Sequence, residues 1–354
     1  MILKLSEVLK RDNNNFGLVR LIAALAVLFG HSFDLFETND YEEPVRRLLK
    51  FDYSGSLAVY VFFFLSGIFI TASFVRSKTI VRFLLMRAFR IWPALIICNI
   101  IAVFVIGPLF SLYPASQYFT SPITWTYLFT NSKLWSEIAY NLPGVFTKNN
   151  YANTVNGSLW TLPIEVKCYC LIFFAGCARL FKRWYYSVIL FVVFVVVYLA
   201  SPIFFLKYVP GALAWKSVVF FIAGSVVYNL RKYIIIDYKI ALPLIIVSLL
   251  LHHTGLFMLL FYITLCYCIL FVGASALFKK ISLPGDYSYG IYIYAFLTQQ
   301  VVASLYPEIT SYPSLFITVP ATCLLAILSW HLIEAPANKL ARSIAGKYEY
   351  WRTK

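Results

Sequence analysis

Ten runs of about 20 mainly apolar residues follow one another along this chain, at roughly 16–36, 57–75, 92–112, 158–178, 185–206, 212–229, 234–251, 256–277, 286–305 and 314–334. An α-helix of that length rises about 30 Å, the thickness of a bilayer's hydrocarbon core. No water reaches a backbone group there, so each run must close its hydrogen bonds within itself as a helix. The chain is 61% hydrophobic and only 13% charged over 354 residues, which agrees with that constraint. The expected fold is therefore all-α: a polytopic integral membrane helix bundle of about ten transmembrane helices. It forms one membrane-embedded domain over residues 1–354, with no soluble extracytoplasmic domain and no internal repeat. The longest polar stretch, Ser111 to Gly157, carries Tyr113, Pro114, Tyr118, Trp125, Trp135 and Tyr140 and reads as interfacial turns with aromatic anchors.

Thirty Lys and Arg against fifteen Asp and Glu give a formal charge of +15. These charges fall between the apolar runs rather than along one basic face, so nucleic acid is excluded as a partner and lipid headgroups are favoured. With the N-terminus in the cytoplasm, the inner loops and tail gather clusters such as Arg76 to Arg90, Arg179 to Arg183 and Lys339 to Lys354. The outer loops then hold Arg46, Arg47, Lys50, Lys133, Lys148, Lys207 and Lys216, which leaves Arg20 and Lys167 inside spans. The positive-inside rule therefore places both termini in the cytoplasm. The seven cysteines lie in apolar segments and suggest neither a disulfide framework nor a metal site. His252 and His253 have no third ligand within reach in sequence. The leader MILKLSEVLKRDNNN lacks a small-residue cleavage site, so the first run reads as a retained span.

Polar residues inside such spans are where function concentrates. Arg20 and His31 are eleven positions apart, three helical turns, so they leave one face of the first helix about 16 Å apart along its axis. Facing lipid they would be expensive, so they are expected to face the interior or an aqueous cavity. Asp34, three residues beyond His31, can fix the imidazole tautomer as a general base requires; otherwise His31 is a packed histidine bonded to a neighbouring helix. Glu165 enters the fourth span from the outer side at a depth comparable with His31, as a site carboxylate or as half of a packing ion pair, and Lys167 is on a different face. Arg87 and Arg90 share a face and, with Arg82, can clamp phosphates from the cytoplasmic side; positive-inside anchoring explains them equally well. Small residues Ser66 and Gly67 mark a close helix approach. Tyr287, Tyr289, Tyr292 and Tyr294 bring hydroxyls that need partners, and His331 and Glu334 are spaced as a local pair.

Taken together, Arg20 with His31, FFFLSG at Phe62 to Gly67, RAFRIWP at Arg87 to Pro93, SLWTLPIE at Ser158 to Glu165, SYGIYIY at Ser288 to Tyr294 and Glu334-Ala-Pro336 resemble the acyltransferase-3 family of membrane O-acyltransferases. Those enzymes modify bacterial surface polysaccharides. The resemblance implies acetyl or similar acyl transfer from cytoplasmic acyl-CoA to a sugar hydroxyl of a surface or lipid-linked polysaccharide such as O-antigen, in the bacterial cytoplasmic membrane. By position the resemblance makes Arg20 and His31 the essential pair and Arg87 and Arg90 the family's RxxR pair. From the residues themselves, acyl-CoA is expected on Arg87 and Arg90 with Arg82. His31, supported by Asp34 or Glu165, is expected either to deprotonate the acceptor hydroxyl or first to accept the acyl group itself; no metal is expected. Members often carry a histidine after the span-nine tyrosines where this chain has Ala295, so no role is carried over there. The rival reading is a transporter or flippase for a lipid-linked saccharide. Transporters commonly show related halves or matched broken helices, and neither is visible here. A scaffold would leave Arg20, His31 and Glu165 without a reason for their insertion cost.

Overall fold

The structure, a computed structural model, describes residues 3–10, 13–38, 41–135, 137–200, 211–281 and 283–353. Arg11, Lys207, Lys354 and the end of the fifth apolar run, 201–206, lie outside the described residues. A helix occupies every one of the ten apolar runs: α1 (Phe16–Leu35), α2 (Ser54–Arg76), α3 (Ile80–Ile101), α4 (Thr161–Cys177), α5 (Trp184–Ala200), α6 (Ala212–Asn229), α7 (Tyr238–Leu250), α8 (Phe257–Ala274), α9 (Ser288–Leu305) and α10 (Ser311–Ser329). Among the described residues, six helical stretches are long and apolar enough to cross a membrane. A π-helical turn, Trp330–Glu334, carries α10 into the C-terminal helix α11 (Ala335–Thr353). The chain is thus an all-α membrane protein whose small sheet pairs β1 (Leu3–Lys4) antiparallel with β2 (Ile235–Ile236).

The helices divide into two compact units. The first comprises Met1–Ala23, Ser56–Val75 and Ile172–Pro284. Here the described part of the polar leader, residues 3–10 and 13–15, is tied to the rest of the unit. Its β1 meets β2, and the Asn15 amide donates to the carbonyls of Phe278 and Ile281 at 2.7 and 2.5 Å. The small residues foreseen in α2 do meet another helix closely. A Cβ on Gly67 would fall 2.0 Å from the Phe221 carbonyl oxygen, and one on Gly224 2.1 Å from that of Phe64. Thr71 donates to Gly67 O at 2.7 Å and bonds Ser225 across the same approach at 2.9 Å, so the polar groups there are satisfied within the protein. Lys216, expected in an outer loop, lies one turn inside α6, where its ammonium donates to the Tyr262 hydroxyl at 2.9 Å and faces the rings of Tyr60 and Tyr262. Aromatic faces and a phenol oxygen make that cation tolerable in a span.

The second unit comprises Ala24–Gly55, Arg76–Leu171 and Gly285–Lys354. Its axis is α9, which is buried from Ser288 through Gln300. It packs against α10, while α11 lies against α3. The stretch from Ser111 to Gly157 is more than a set of surface anchors. Trp135 is 73% exposed, as an interfacial aromatic would be, but Tyr118 and Tyr127 are fully buried. Two short helices, Ala115–Thr120 and Pro122–Lys133, are followed by a turn that folds onto the end of α9. There the Gln300 amide donates to the carbonyls of Tyr151 and Thr154 and its oxygen accepts from Asn149 at 2.7 Å.

Candidate active site

Every third or fourth residue of a helix returns to the same face, and on α9 that rule aligns Tyr289, Tyr292, Phe296 and Gln299. The stripe climbs about 15 Å and touches three polar clusters of the second unit in turn. At its first turn the Tyr289 hydroxyl donates to the Ile91 carbonyl at 2.9 Å, and the Arg90 guanidinium lies 5.4 Å over the same ring. Arg90 donates to Asp286 at 2.9 Å and to Glu334 at 3.2 Å; Glu334 is 2% exposed and accepts a further bond from Ser329 at 3.0 Å. Glu334 therefore serves Arg90, not His331 as its spacing suggested; His331 instead meets the Tyr287 hydroxyl at 3.4 Å. The π turn explains the difference, because its wider pitch moves residues three apart off a common face. Arg87, half-buried one turn before Arg90, contributes with Glu165 and Arg90 to the field at the Tyr169 phenol. Arg82 pairs with Glu349 of α11 at 3.1 Å.

One level up, Tyr292 donates to the Ser158 carbonyl at 2.7 Å and shares a bond with the Thr161 hydroxyl at 2.6 Å. Thr161, Glu165 and Tyr169 recur every fourth residue of α4, so Glu165 comes to the same side, accepting from the Tyr169 hydroxyl. Lys167 is exposed, on a different face, as its offset of two residues dictates. The turn Asn156-Gly157-Ser158 is held here by the Asn156 amide on the Ile293 carbonyl at 2.8 Å. Gly157 has to be glycine for packing reasons: a Cβ would meet the Phe296 ring at 2.7 Å.

At the far end of the stripe His31 is half-buried and meets Phe296 edge-on, with ring centroids 5.3 Å apart. Tyr151 packs perpendicular to the same Phe296 ring at 5.7 Å. Asp34, foreseen as the partner of His31, pairs with Arg46 at 3.7 Å instead. Arg46 also lies 4.9 Å over the ring of Tyr53, in the loop before α2. Burial, reinforced by Asp34 and opposed by Arg46, pushes the Tyr53 phenol up to about 12, so it stays a hydroxyl at neutral pH. The cluster thus offers a titratable imidazole, an aromatic wall and hydroxyl and amide groups suited to a polar guest.

Arg20 belongs to the first unit, near the start of α1, with its guanidinium 5.8 Å over the ring of Phe69. Since α1 runs unbroken from Phe16 to Leu35, the three-turn spacing to His31 holds along the helix. Two participants escaped the sequence reading. Asp286 sits just before α9 in a loop with no motif to mark it, and Gln299 is a neutral amide in an apolar run, which raises no charge alarm.

The sequence model of the acyltransferase-3 family, described as an acyltransferase domain, matches residues 13–333 and so spans both units. Among curated proteins, the chain is 30% identical to an "O-acetyl transferase" of Shigella phage Sf6, covering 91% of this chain and 95% of the relative. It is 27% identical to "Nodulation protein 10" of Rhizobium leguminosarum bv. viciae, over 94% of this chain and 95% of that protein. No solved structure matches.

Proposed function

The chain belongs to the acyltransferase-3 family and is a membrane acyltransferase, and we propose that it carries an acetyl group from cytoplasmic acyl-CoA to a hydroxyl of a bacterial surface polysaccharide. The name of the phage relative favours acetyl over longer acyl groups and oxygen as the acceptor atom. The observation that carries the proposal is the α9 stripe, with arginines at one end and an imidazole at the other. A charged nucleotide donor needs the first, and an alcohol nucleophile needs the second.

In this reading Arg87 meets the donor phosphates. Arg82, which pairs with Glu349 at 3.1 Å, joins it by exchanging that carboxylate for a phosphate. Arg90 holds the frame around them through Asp286 and Glu334. The acceptor hydroxyl approaches His31 from the outer side. Its oxygen forms the new ester bond to the acyl carbon as the carbon–sulfur bond breaks; its proton passes to His31 and then to the departing thiolate, which leaves as the free thiol of CoA. Arg20 sits about three turns from the imidazole, so it stabilises the donor arm rather than the reacting oxygen. Glu165 and Tyr169 line the midpoint. Ten spans, cytoplasmic termini and residence in the bacterial cytoplasmic membrane complete the reading, on the distribution of basic loops.

Membranes containing the protein, given acetyl-CoA labelled in the acetyl group and a polysaccharide acceptor, are expected to yield labelled glycan that loses its label in mild base. His31→Ala should reduce that yield about 100-fold or more while the protein remains inserted. Glycan crossing the membrane without gaining label would support the transporter reading instead.

A further inference from the structure

A general base must hold its ring so that one nitrogen is kept as acceptor toward the reacting hydroxyl, and that needs a hydrogen-bond partner for the other. Asp34 does not supply it, because its carboxylate is turned to Arg46. Phe296 confines the ring by contact alone and offers no polar atom.

One turn beyond Phe296 on the same stripe stands Gln299, whose side chain is 0% exposed. Its Nε2 donates to the carbonyl of Leu28 at 2.9 Å. Leu28 precedes His31 by three residues, so this bond brings the carboxamide to the face of α1 that carries the imidazole. It also settles which end of the amide is which: a carbonyl acceptor demands the nitrogen, so the remaining atom is Oε1, an acceptor only. Among the described residues that buried oxygen has no hydrogen-bond partner. A buried acceptor left unmet carries a desolvation cost that a partner would relieve, and this one is anchored by its other end.

We propose that Gln299 is the positioning residue for His31: Oε1 accepts the ring N–H of the neutral imidazole and turns the other nitrogen toward the acceptor hydroxyl. The proposal rests on the reading of His31 as the base. A neutral amide suits the location, because a carboxylate there would have to be desolvated inside a span. Catalytic hydrogen bonds of this kind draw tight as the reactants bind, so the bond is completed when acceptor fills the outer cluster.

The test is initial-rate kinetics of the full-length protein in detergent or nanodiscs, with acetyl-CoA varied against saturating acceptor. Gln299→Met, similar in volume but without the oxygen, should lower kcat about 10- to 100-fold while leaving KM for acetyl-CoA within about twofold. Gln299→Asn keeps an amide but withdraws it by one methylene from both Leu28 and His31, and should lose kcat to a similar extent with KM for acetyl-CoA within about twofold. It decides the matter if the Met variant does not reach the membrane. Wild-type kcat in either variant overturns the proposal, and so does a kcat loss matched by a rise in KM and a fall in melting temperature, which marks a structural role. His31→Ala run in parallel separates the two readings: full activity there removes the base itself, whereas an inactive His31→Ala beside a fully active Gln299→Met removes only Gln299.

Discussion

A guanidinium held between two carboxylates is expensive to remove. Arg90 has Asp286 at 2.9 Å and Glu334 at 3.2 Å, and Glu334 is 2% exposed, so removing the cation strands a carboxylate with almost no access to water. Breaking a buried pair from one side destabilises by about 3–5 kcal/mol, far more than the pair itself contributes. Arg90→Met is therefore expected to lose about that much stability, read as a lower melting temperature in detergent. Arg87→Ala should raise KM for acetyl-CoA about tenfold or more, the worth of one charge-assisted hydrogen bond. Reversal of these two phenotypes would exchange the roles assigned to the arginines. At this scale the sequence displayed charge but not partnership. Arg90 and Glu334 were both visible as polar residues at span ends, yet their pairing depends on a π turn that no local spacing announces. Asp34 illustrates the converse. Its spacing from His31 was right for a pair, but Arg46, from the loop helix Pro44–Leu49, supplied a full opposite charge that an imidazole could not match.

Whole helices were far more legible than their contacts. Apolar length alone located every one of α1 to α10, because inside a bilayer the helix is the default solution for a run of that composition. The Ser111 to Gly157 stretch was misjudged for a related reason: buried tyrosines and exposed interfacial aromatics look alike in sequence, and only the amide contacts of Gln300 reveal that this segment roofs the end of α9. Small residues were the informative exception, since glycine on a helix face has little purpose except close approach. At Gly67 the neighbour is backbone, 2.0 Å from where a Cβ would stand, and backbone cannot step aside as a side chain can. Gly67→Ala should accordingly destabilise by about 1–3 kcal/mol through overpacking. Gly346 of α11 is the matched control, for a Cβ there meets nothing. Gly346→Ala removes backbone freedom from the unfolded chain and should raise stability by about 0.5–1 kcal/mol. Paired thermal melts of the two variants check the contrast, and equal shifts would mean that the α2–α6 approach is looser than described.

For the molecule as a whole, the division into two units could not be read from sequence, because α1 and α4 pass through the boundary with no change in composition. Sidedness is an expectation of another kind, since it is a sum over all loops rather than a property of any contact. Within the first unit, β1 pairs with the segment after α6 and Asn15 reaches the residues after α8, so the loops grouped by their basic charge also group in space. In the second unit the Arg82–Glu349 pair does the same for the start of α3 and the C-terminal helix. Each grouping keeps its own segments together, and the excess of Lys and Arg in them is the argument for expecting them in the cytoplasm. In a variant stripped of its seven cysteines, Lys133→Cys is expected to react with a membrane-impermeant maleimide in intact spheroplasts. Lys347→Cys should react only after the membrane is opened, and both positions are exposed, so neither is silent through burial. The opposite pattern would put the arginine cluster outside, beyond the reach of any cytoplasmic thioester, and the proposed direction of acyl transfer could not stand.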